Sequence, residues 1–359
     1  MVRFTFPLSS MRAYAARALI PCVLVAAGCG PQPGAGADAA PLPAMRAFGG
    51  GGTRPGQFAY PRAIDTDGRW LFVIDKEARI QMLDPSDGRC AALWRTPEWE
   101  KGKPTGVTIG PGPGGRAAVY VPDTHYHRVL VYAIPEAAAP GAGVDELPAG
   151  TLLAQFGSFG TGPGEFYFPT DVAVVTGPDG VVDRIFVSEY GGNDRISVFD
   201  ASYRFLFAFG GMGTSDRPDR IEFQRPQSML IDARARELVV SDALNHRIGR
   251  FRFDGTLLGW IGARDASGRV GTPGREPGSF TIPYGMAWLD DGTLLVAEYG
   301  GNRLQRLDVR SGRSLGAWGT PGRGAGNLAS PWGVAVVGGR TYVLDSRNNR
   351  VMVCGAPPG

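Results

Sequence analysis

The chain has 359 residues, of which 54 are Gly and 29 are Pro, while 43% are hydrophobic. This apolar content is enough for a sizeable core, so the composition excludes disorder and collagen, and the frequent Gly and Pro residues exclude long helices. The formal charge of +3 comes from Arg3, Arg12 and Arg17, because without them the other Lys and Arg residues balance the 34 Asp and Glu residues. A neutral body lacks the basic excess of nucleic-acid binders, so we expect no nucleic-acid partner.

The first 28 residues have the pattern of an export signal. Basic residues precede the apolar run 18–27, which is too short to span a bilayer, and small residues follow it. We therefore predict a signal peptide over residues 1–28, with the start at Met1 or Met11.

The end of this signal resembles a bacterial lipobox, in which small residues precede a cysteine whose thiol is acylated. Cys29 stands at that position, although Ala26 replaces the usual Leu. We predict lipidation at Cys29 and a flexible lipid-anchored tether over residues 29–43, which would place the protein at the outer membrane or on the periplasmic face. The alternative is a plain secretory signal, which gives a periplasmic or secreted protein.

One unit of sequence occurs six times. A Pro opens an apolar run, an acidic residue ends a second run, and an Arg opens a third. The acidic residues are 48, 66, 53, 56 and 47 residues apart, which is the spacing of four-stranded propeller blades. The Pro, acid and Arg of successive copies are Pro61, Asp75 and Arg79; Pro104, Asp123 and Arg128; Pro169, Glu189 and Arg195; Pro226, Asp242 and Arg247; Pro283, Glu298 and Arg303; and Pro331, Asp345 and Arg350.

These copies predict an all-β fold, a six-bladed β-propeller of four-stranded blades over residues 44–359. The sixth copy stops after its third strand, and residues 44–48 can supply the missing fourth strand from the other terminus. Such closure removes the exposed edges that an open sheet would leave. We also expect a monomer. The unit resembles the NHL repeat in its Phe-Gly, Gly-x-Phe and Asn-x-Arg-Ile steps. Because the acids and arginines recur in every copy, we interpret them as structural ion pairs rather than as one site.

Candidate binding residues are those that differ between copies. The position after each Pro should line the mouth of the central channel, where a small polar ligand, a glycan or a peptide terminus can bind. Arg62 would pair with an anion, while Tyr284 and Trp332 would supply flat apolar area. A water-filled channel is the alternative. The candidate ligand-binding residues are Arg62, Thr105, Thr170, Gln227, Tyr284 and Trp332, together with Tyr190 and Tyr299 from two Glu-Tyr-Gly-Gly-Asn loops.

An enzyme is the alternative class of function. Residues 168–174 resemble a segment of the peptidyl-amidoglycolate lyase propeller, which holds zinc with histidines placed directly after the prolines. None of the six post-Pro residues is His here, and the histidines are His125, His127 and His246. A calcium site would need several oxygen ligands, for which Asp171 and Glu189 with Asn193 are candidates. We therefore expect no cofactor, and keep a zinc- or calcium-dependent envelope lyase or hydrolase as the second hypothesis.

Four cysteines are too few for a disulfide scaffold, and we expect free buried thiols at Cys90 and Cys354. Taken together, the sequence favours a propeller in the cell envelope that binds a protein, peptide or glycan as a scaffold module.

Overall fold

The computed structural model describes residues 39–355, so the predicted signal peptide and Cys29 lie outside the described residues. Between these bounds the chain forms six antiparallel sheets of four strands. The innermost strand of each sheet contacts the innermost strand of the next, and that of the sixth contacts that of the first. The all-β six-bladed propeller is thereby confirmed.

The first strand, β1 (Ala44–Gly49), belongs to the last blade, and the first three blades follow it in chain order. Blade 1 contains β2 (Pro61–Thr66), β3 (Leu71–Asp75), β4 (Arg79–Leu83) and β5 (Cys90–Arg95). Blade 2 contains β6 (Thr108–Pro111), β7 (Ala117–Asp123), β8 (Arg128–Ala133) and β9 (Leu152–Phe156). Blade 3 contains β10 (Phe168–Thr176), β11 (Val182–Tyr190), β12 (Arg195–Phe199) and β13 (Phe205–Phe209).

The short pair β14 (Asp216–Arg217) and β15 (Arg220–Ile221) leads into blade 4, which contains β16 (Pro226–Asp232), β17 (Glu237–Asp242), β18 (Arg247–Arg252) and β19 (Leu257–Ile261). After β20 (Ala263–Arg264) and β21 (Val270–Thr272), blade 5 contains β22 (Pro283–Trp288), β23 (Leu294–Glu298), β24 (Arg303–Asp308) and β25 (Arg313–Trp318). After β26 (Thr320–Pro321) and β27 (Asn327–Leu328), blade 6 contains β28 (Pro331–Val337), β29 (Arg340–Asp345) and β30 (Arg350–Gly355). The 3₁₀ turns are Pro113–Gly115, Thr124–Tyr126, Val144–Glu146, Ala243–Asn245 and Ser346–Asn348.

Strand β1 closes the ring as predicted. It pairs antiparallel with β30, with Phe48 opposite Val351, and so forms the fourth strand of blade 6. The residues just before it, 39–43, were expected in the flexible tether. The structure instead places Leu42 in the core between blades 5 and 6, where it is 3% exposed, and its N–H donates to the Gly326 carbonyl.

The core lies between neighbouring blades. Because alternate residues of a strand point to opposite faces, each blade has two apolar faces. In β3, Phe72 and Ile74 pack against Leu130 of blade 2. Leu71 and Val73 of the same strand pack against blade 6. Six such layers hold the ring together.

The repeated ion pairs are confirmed in every blade. The acid at the end of the second strand receives a hydrogen bond from the Arg that begins the third, and the carboxylates are fully buried. In blade 4, Arg247 Nε donates to Asp242 Oδ2 at 2.8 Å, while its Nη2 donates to the Glu222 carbonyl at 2.7 Å. The pair therefore ties two strands to the loop that enters the blade.

Two ends of the ring can be distinguished. The inner strands begin at one end, which also carries the loops between second and third strands; we name it the upper face. The lower face is the opposite end, where the inner strands finish.

Candidate functional site

A cavity of about 240 Å³ occupies the central channel and is lined by the inner strands. Four of the six predicted post-Pro residues line it near the upper face: Arg62, Thr105, Gln227 and Trp332. From there the cavity continues along the strands to Leu230 and Val336, near their lower ends. The prediction that these four residues face the channel therefore agrees with their positions.

The other two post-Pro residues do not line the cavity. Thr170 is fully buried, and its Oγ1 donates to the Pro226 carbonyl at 2.6 Å. Thr105 Oγ1 in turn donates to the Thr170 carbonyl at 3.1 Å, so both threonines are used in contacts between blades. Tyr284 is also buried, at 4% exposure.

Tyr284 lies in an aromatic cap, formed by Tyr60, Tyr284, Tyr299 and Trp332 at the upper end of the channel. The Tyr284 ring stacks on Tyr299 with centroids 4.7 Å apart and contacts Trp332 at 4.8 Å. The Oη atoms of Tyr60 and Tyr299 are hydrogen-bonded at 2.9 Å. The rings of Tyr284 and Trp332 therefore cover each other, and the flat apolar area expected of them is not open to a ligand.

Two arginines flank this cap. The guanidinium of Arg62 lies 5.3 Å from the centre of the Trp332 ring, and that of Arg225 lies 4.8 Å from Tyr190 and 5.4 Å from Tyr284. Burial, and then the nearby charge of Arg225, lower the pKa of Arg62. Among residues 39–355, neither arginine forms a salt bridge.

Arg225 and Tyr60 are functional candidates that the sequence reasoning missed. Each precedes a proline, where extended backbone is favoured, yet their φ angles are 60° and 56°. Side chains of the preceding blades hold these conformations, because the Arg225 N–H donates to Asp194 and the Tyr60 N–H to Asn349, at 2.6 and 2.7 Å. The unusual backbone aims both side chains at the channel. The residue before the repeated Pro differs from copy to copy, and this variation was the one sequence signal that could have identified Tyr60 and Arg225.

An aromatic surface extends outward from the channel over blades 2 and 3. We define it as His127, Phe159, Tyr167, Phe168 and Tyr190. Neighbouring ring centroids are 4.8 to 5.5 Å apart, and Phe159 at its outer end is 64% exposed. The predicted Tyr190 thus links the surface to Arg225, whereas Tyr299 belongs to the aromatic cap.

The last blade carries a recognisable repeat. Residues 328–354, which include β28 and β29, match the NHL repeat family. The protein is therefore a six-bladed β-propeller whose last blade is similar to the NHL repeat. No curated protein matches the chain in sequence.

Solved structures similar to this propeller have low sequence identity to it. A protein of unknown function from Bacteroides thetaiotaomicron has a TM-score of 0.58 and 13% identity, over 86% of this chain and 72% of that chain. A streptogramin B lyase has a TM-score of 0.54 and 14% identity, over 86% and 96%. A hydrazine synthase from Kuenenia stuttgartiensis has a TM-score of 0.51 and 16% identity, over 82% and 83%. These likenesses show the fold alone.

Two carboxyl groups, those of Asp65 and Asp171, line the propeller's channel below the arginines. Asp171 Oδ2 accepts the Met229 N–H at 2.7 Å, and Asp65 Oδ2 accepts the Ile109 N–H at 2.7 Å, so each joins its blade to the next. Burial raises the pKa of Asp171 to about 7 and that of Asp65 to about 6. Both groups therefore titrate near neutral pH.

Two of the three histidines, His127 and His246, serve contacts between blades. His246 Nδ1 accepts the Ile282 N–H at 3.1 Å, and the His127 ring bonds to the Tyr167 carbonyl. Within the described part of the chain, no three His, Cys, Asp or Glu side chains are grouped to hold a metal ion. The same residues include no helix long and apolar enough to cross a membrane. Cys90 and Cys354 are free, buried thiols, as predicted.

Proposed function

We propose that this propeller is a binding module that holds a protein or peptide partner on its upper face, over blades 2 to 4. The observation that carries the proposal is the aromatic surface, whose outermost ring is exposed and whose other four side chains are half-buried. Phe159 at its outer end is 64% exposed, and Met212 and Leu244 on the adjoining upper loops are 60% and 42% exposed. The contacting rings form one patch, and contiguous apolar area of this kind marks interaction sites on soluble proteins.

The composition of this surface suits protein recognition. Aromatic residues and Arg are enriched where binding energy concentrates in interfaces, and Tyr190 lies beside Arg225 at its inner end. The rings are held by one another and by the inter-blade hydrogen bond of His127, so little side-chain freedom is lost on binding. A glycan that stacks on these rings is the other ligand class expected from the sequence.

Photocrosslinking in cells that make the protein tests the proposal, because it captures a partner whose identity is not yet established. Phe159 is replaced with a photoreactive phenylalanine analogue, and the cells are irradiated. We expect a discrete covalent adduct of one partner. The matched control positions are Leu206 on the outer strand β13 and Val181 at the lower end of blade 3, which are 47% and 41% exposed.

The controls decide the interpretation. Adducts at Phe159 with none at Leu206 or Val181 support docking on the upper face. Equal adducts at all three positions, or none at Phe159, would contradict it.

We also propose that the propeller works in the cell envelope as a lipoprotein. The support is the lipobox-like sequence ending at Cys29. A Cys29→Ala variant should lose incorporation of labelled palmitate and move from the membrane to the soluble fraction. A variant that stays membrane-bound and is processed as the wild type would refute this location.

A further inference from the structure

The upper end of the channel cavity contains buried N–H donors that have no acceptor. We name this end the neck and define it by Arg62, Gln227 and Trp332. Arg62 Nε and Trp332 Nε1 are buried and neither makes a hydrogen bond within the described residues. An unpaired buried donor costs free energy, and native proteins satisfy nearly all of them. Two such donors on adjacent side chains therefore point to a missing acceptor.

The neck also has an excess of positive charge. Arg62 is fixed at one end, because its Nη1 donates to the Lys103 carbonyl at 3.0 Å. Arg225 contributes a second cation beside it, and its Nε donates to Gln227 Oε1 at 2.9 Å. No carboxylate in residues 39–355 pairs with either guanidinium. The missing acceptor is therefore an anion.

We infer that the neck binds the carboxylate group of a small organic acid, which accepts hydrogen bonds from Arg62 and from Trp332 Nε1. Planar guanidinium groups match the geometry of a carboxylate, and such charge-assisted bonds are the strong ones. This site lies inside the channel and does not depend on partner docking at the aromatic surface.

The lining and volume of the cavity below the neck determine which class of organic acid fits the site. Its apolar lining includes Val107, Met229, Met286 and Val334. A volume of about 240 Å³ has room for an apolar body of modest size, such as a benzene ring. Asp65 and Asp171 line the same cavity and would repel additional negative charge. A monocarboxylate with an apolar body therefore fits better than a phosphate dianion.

Isothermal titration calorimetry on the whole protein tests this inference, with benzoate as the probe. Benzamide has the same shape without the charge, and inorganic phosphate tests the other common oxyanion. We expect benzoate to bind at least about tenfold more tightly than benzamide, since a hydrogen bond to a charged group contributes about that factor or more. We expect phosphate to bind more weakly than benzoate.

Two variants test whether Arg62 and Trp332 hold the carboxylate, and a third variant is the control. Arg62→Met keeps the side-chain stem but removes the donors, and should weaken benzoate binding by about tenfold or more. Trp332→Phe keeps a ring but removes Nε1–H, and should weaken it by about three- to tenfold. Arg234→Met removes an exposed arginine of the lower face and should change nothing.

The unfolding midpoint of each variant is measured alongside, so that a loss of folding is not read as a loss of binding. The carboxylate site is overturned if benzoate gives no binding heat at millimolar concentration. It is equally overturned if benzamide or phosphate binds as tightly as benzoate, or if folded Trp332→Phe binds benzoate like the wild type.

Discussion

At the scale of single residues, the buried ion pair of a blade can be compared with an exposed ion pair of the same chemistry. Arg247 and Asp242 are both fully buried, whereas Arg217 and Asp219 form a pair of similar length that is 70% and 64% exposed. Burial removes water from the first pair, so either partner left alone would be an uncompensated charge. Water solvates the second pair whether or not it is formed.

We therefore expect Asp242→Ala to lower the free energy of unfolding by about 3–5 kcal/mol. Urea denaturation measures this change, and Asp219→Ala is the control that should leave the unfolding curve in place. Equal effects of the two substitutions would show that the buried pair is not a structural clamp.

The channel acid Asp171 predicts a dependence of stability on pH. Burial raises its pKa from 3.8 to about 7, so the folded state binds a proton that the unfolded state releases. Its contribution is fully present below the unfolded pKa and is lost as the pH rises through about 7. Asp171→Asn keeps an acceptor for the Met229 N–H but cannot ionise.

We expect the unfolding midpoint of Asp171→Asn, relative to the wild type, to increase between about pH 5 and about pH 8. Thermal denaturation across this range checks the trend. A difference between the two proteins that stays constant with pH would mean that Asp171 does not titrate in the folded state.

At the scale of elements, the positions of the strands could be predicted from the repeat, because each copy has the same order of Pro, acid and Arg. The departures have local causes. The inner strand of blade 2 begins at Thr108 rather than directly after Pro104, where the neighbouring strand β7 carries Pro122, which has no N–H to donate to the ladder. Residues 39–43 pack on the ring because Leu42 fills an apolar gap that their Gly- and Pro-rich surroundings did not reveal.

Closure of the ring by β1 gives a prediction at this scale. Adjacent residues of a strand point their N–H groups in opposite directions, so proline at both Arg46 and Ala47 must remove at least one bond to β30. We expect Arg46→Pro with Ala47→Pro to lower the unfolding midpoint and to promote aggregation through the exposed edge. Circular dichroism during heating measures the unfolding midpoint, and static light scattering measures the aggregation.

The control for this pair is Arg46→Ser with Ala47→Ser, which keeps both N–H groups. If the serine variant unfolds at the same temperature as the proline variant, the strand pairing of β1 does not hold the ring closed.

At the scale of the whole molecule, the six-fold recurrence predicted the ring, while the arrangement at its centre could not be predicted. The post-Pro rule correctly placed Arg62 and Trp332 in the channel. It did not reveal that Tyr284 and Trp332 cover each other, or that left-handed backbone at Arg225 turns a second cation toward them. Such contacts join blades that are far apart in sequence, and no local pattern encodes them.

The central claim is that the residues repeated in all six blades hold the ring, while residues of the upper face that differ between blades bind the partner. Adduct yield at Phe159 in a Tyr190→Ala background tests it most directly, because Tyr190 belongs to the aromatic surface but to none of the ion pairs. The account predicts that the adduct is lost while the unfolding midpoint stays close to that of the parent protein. An adduct retained at full yield in that background would contradict it.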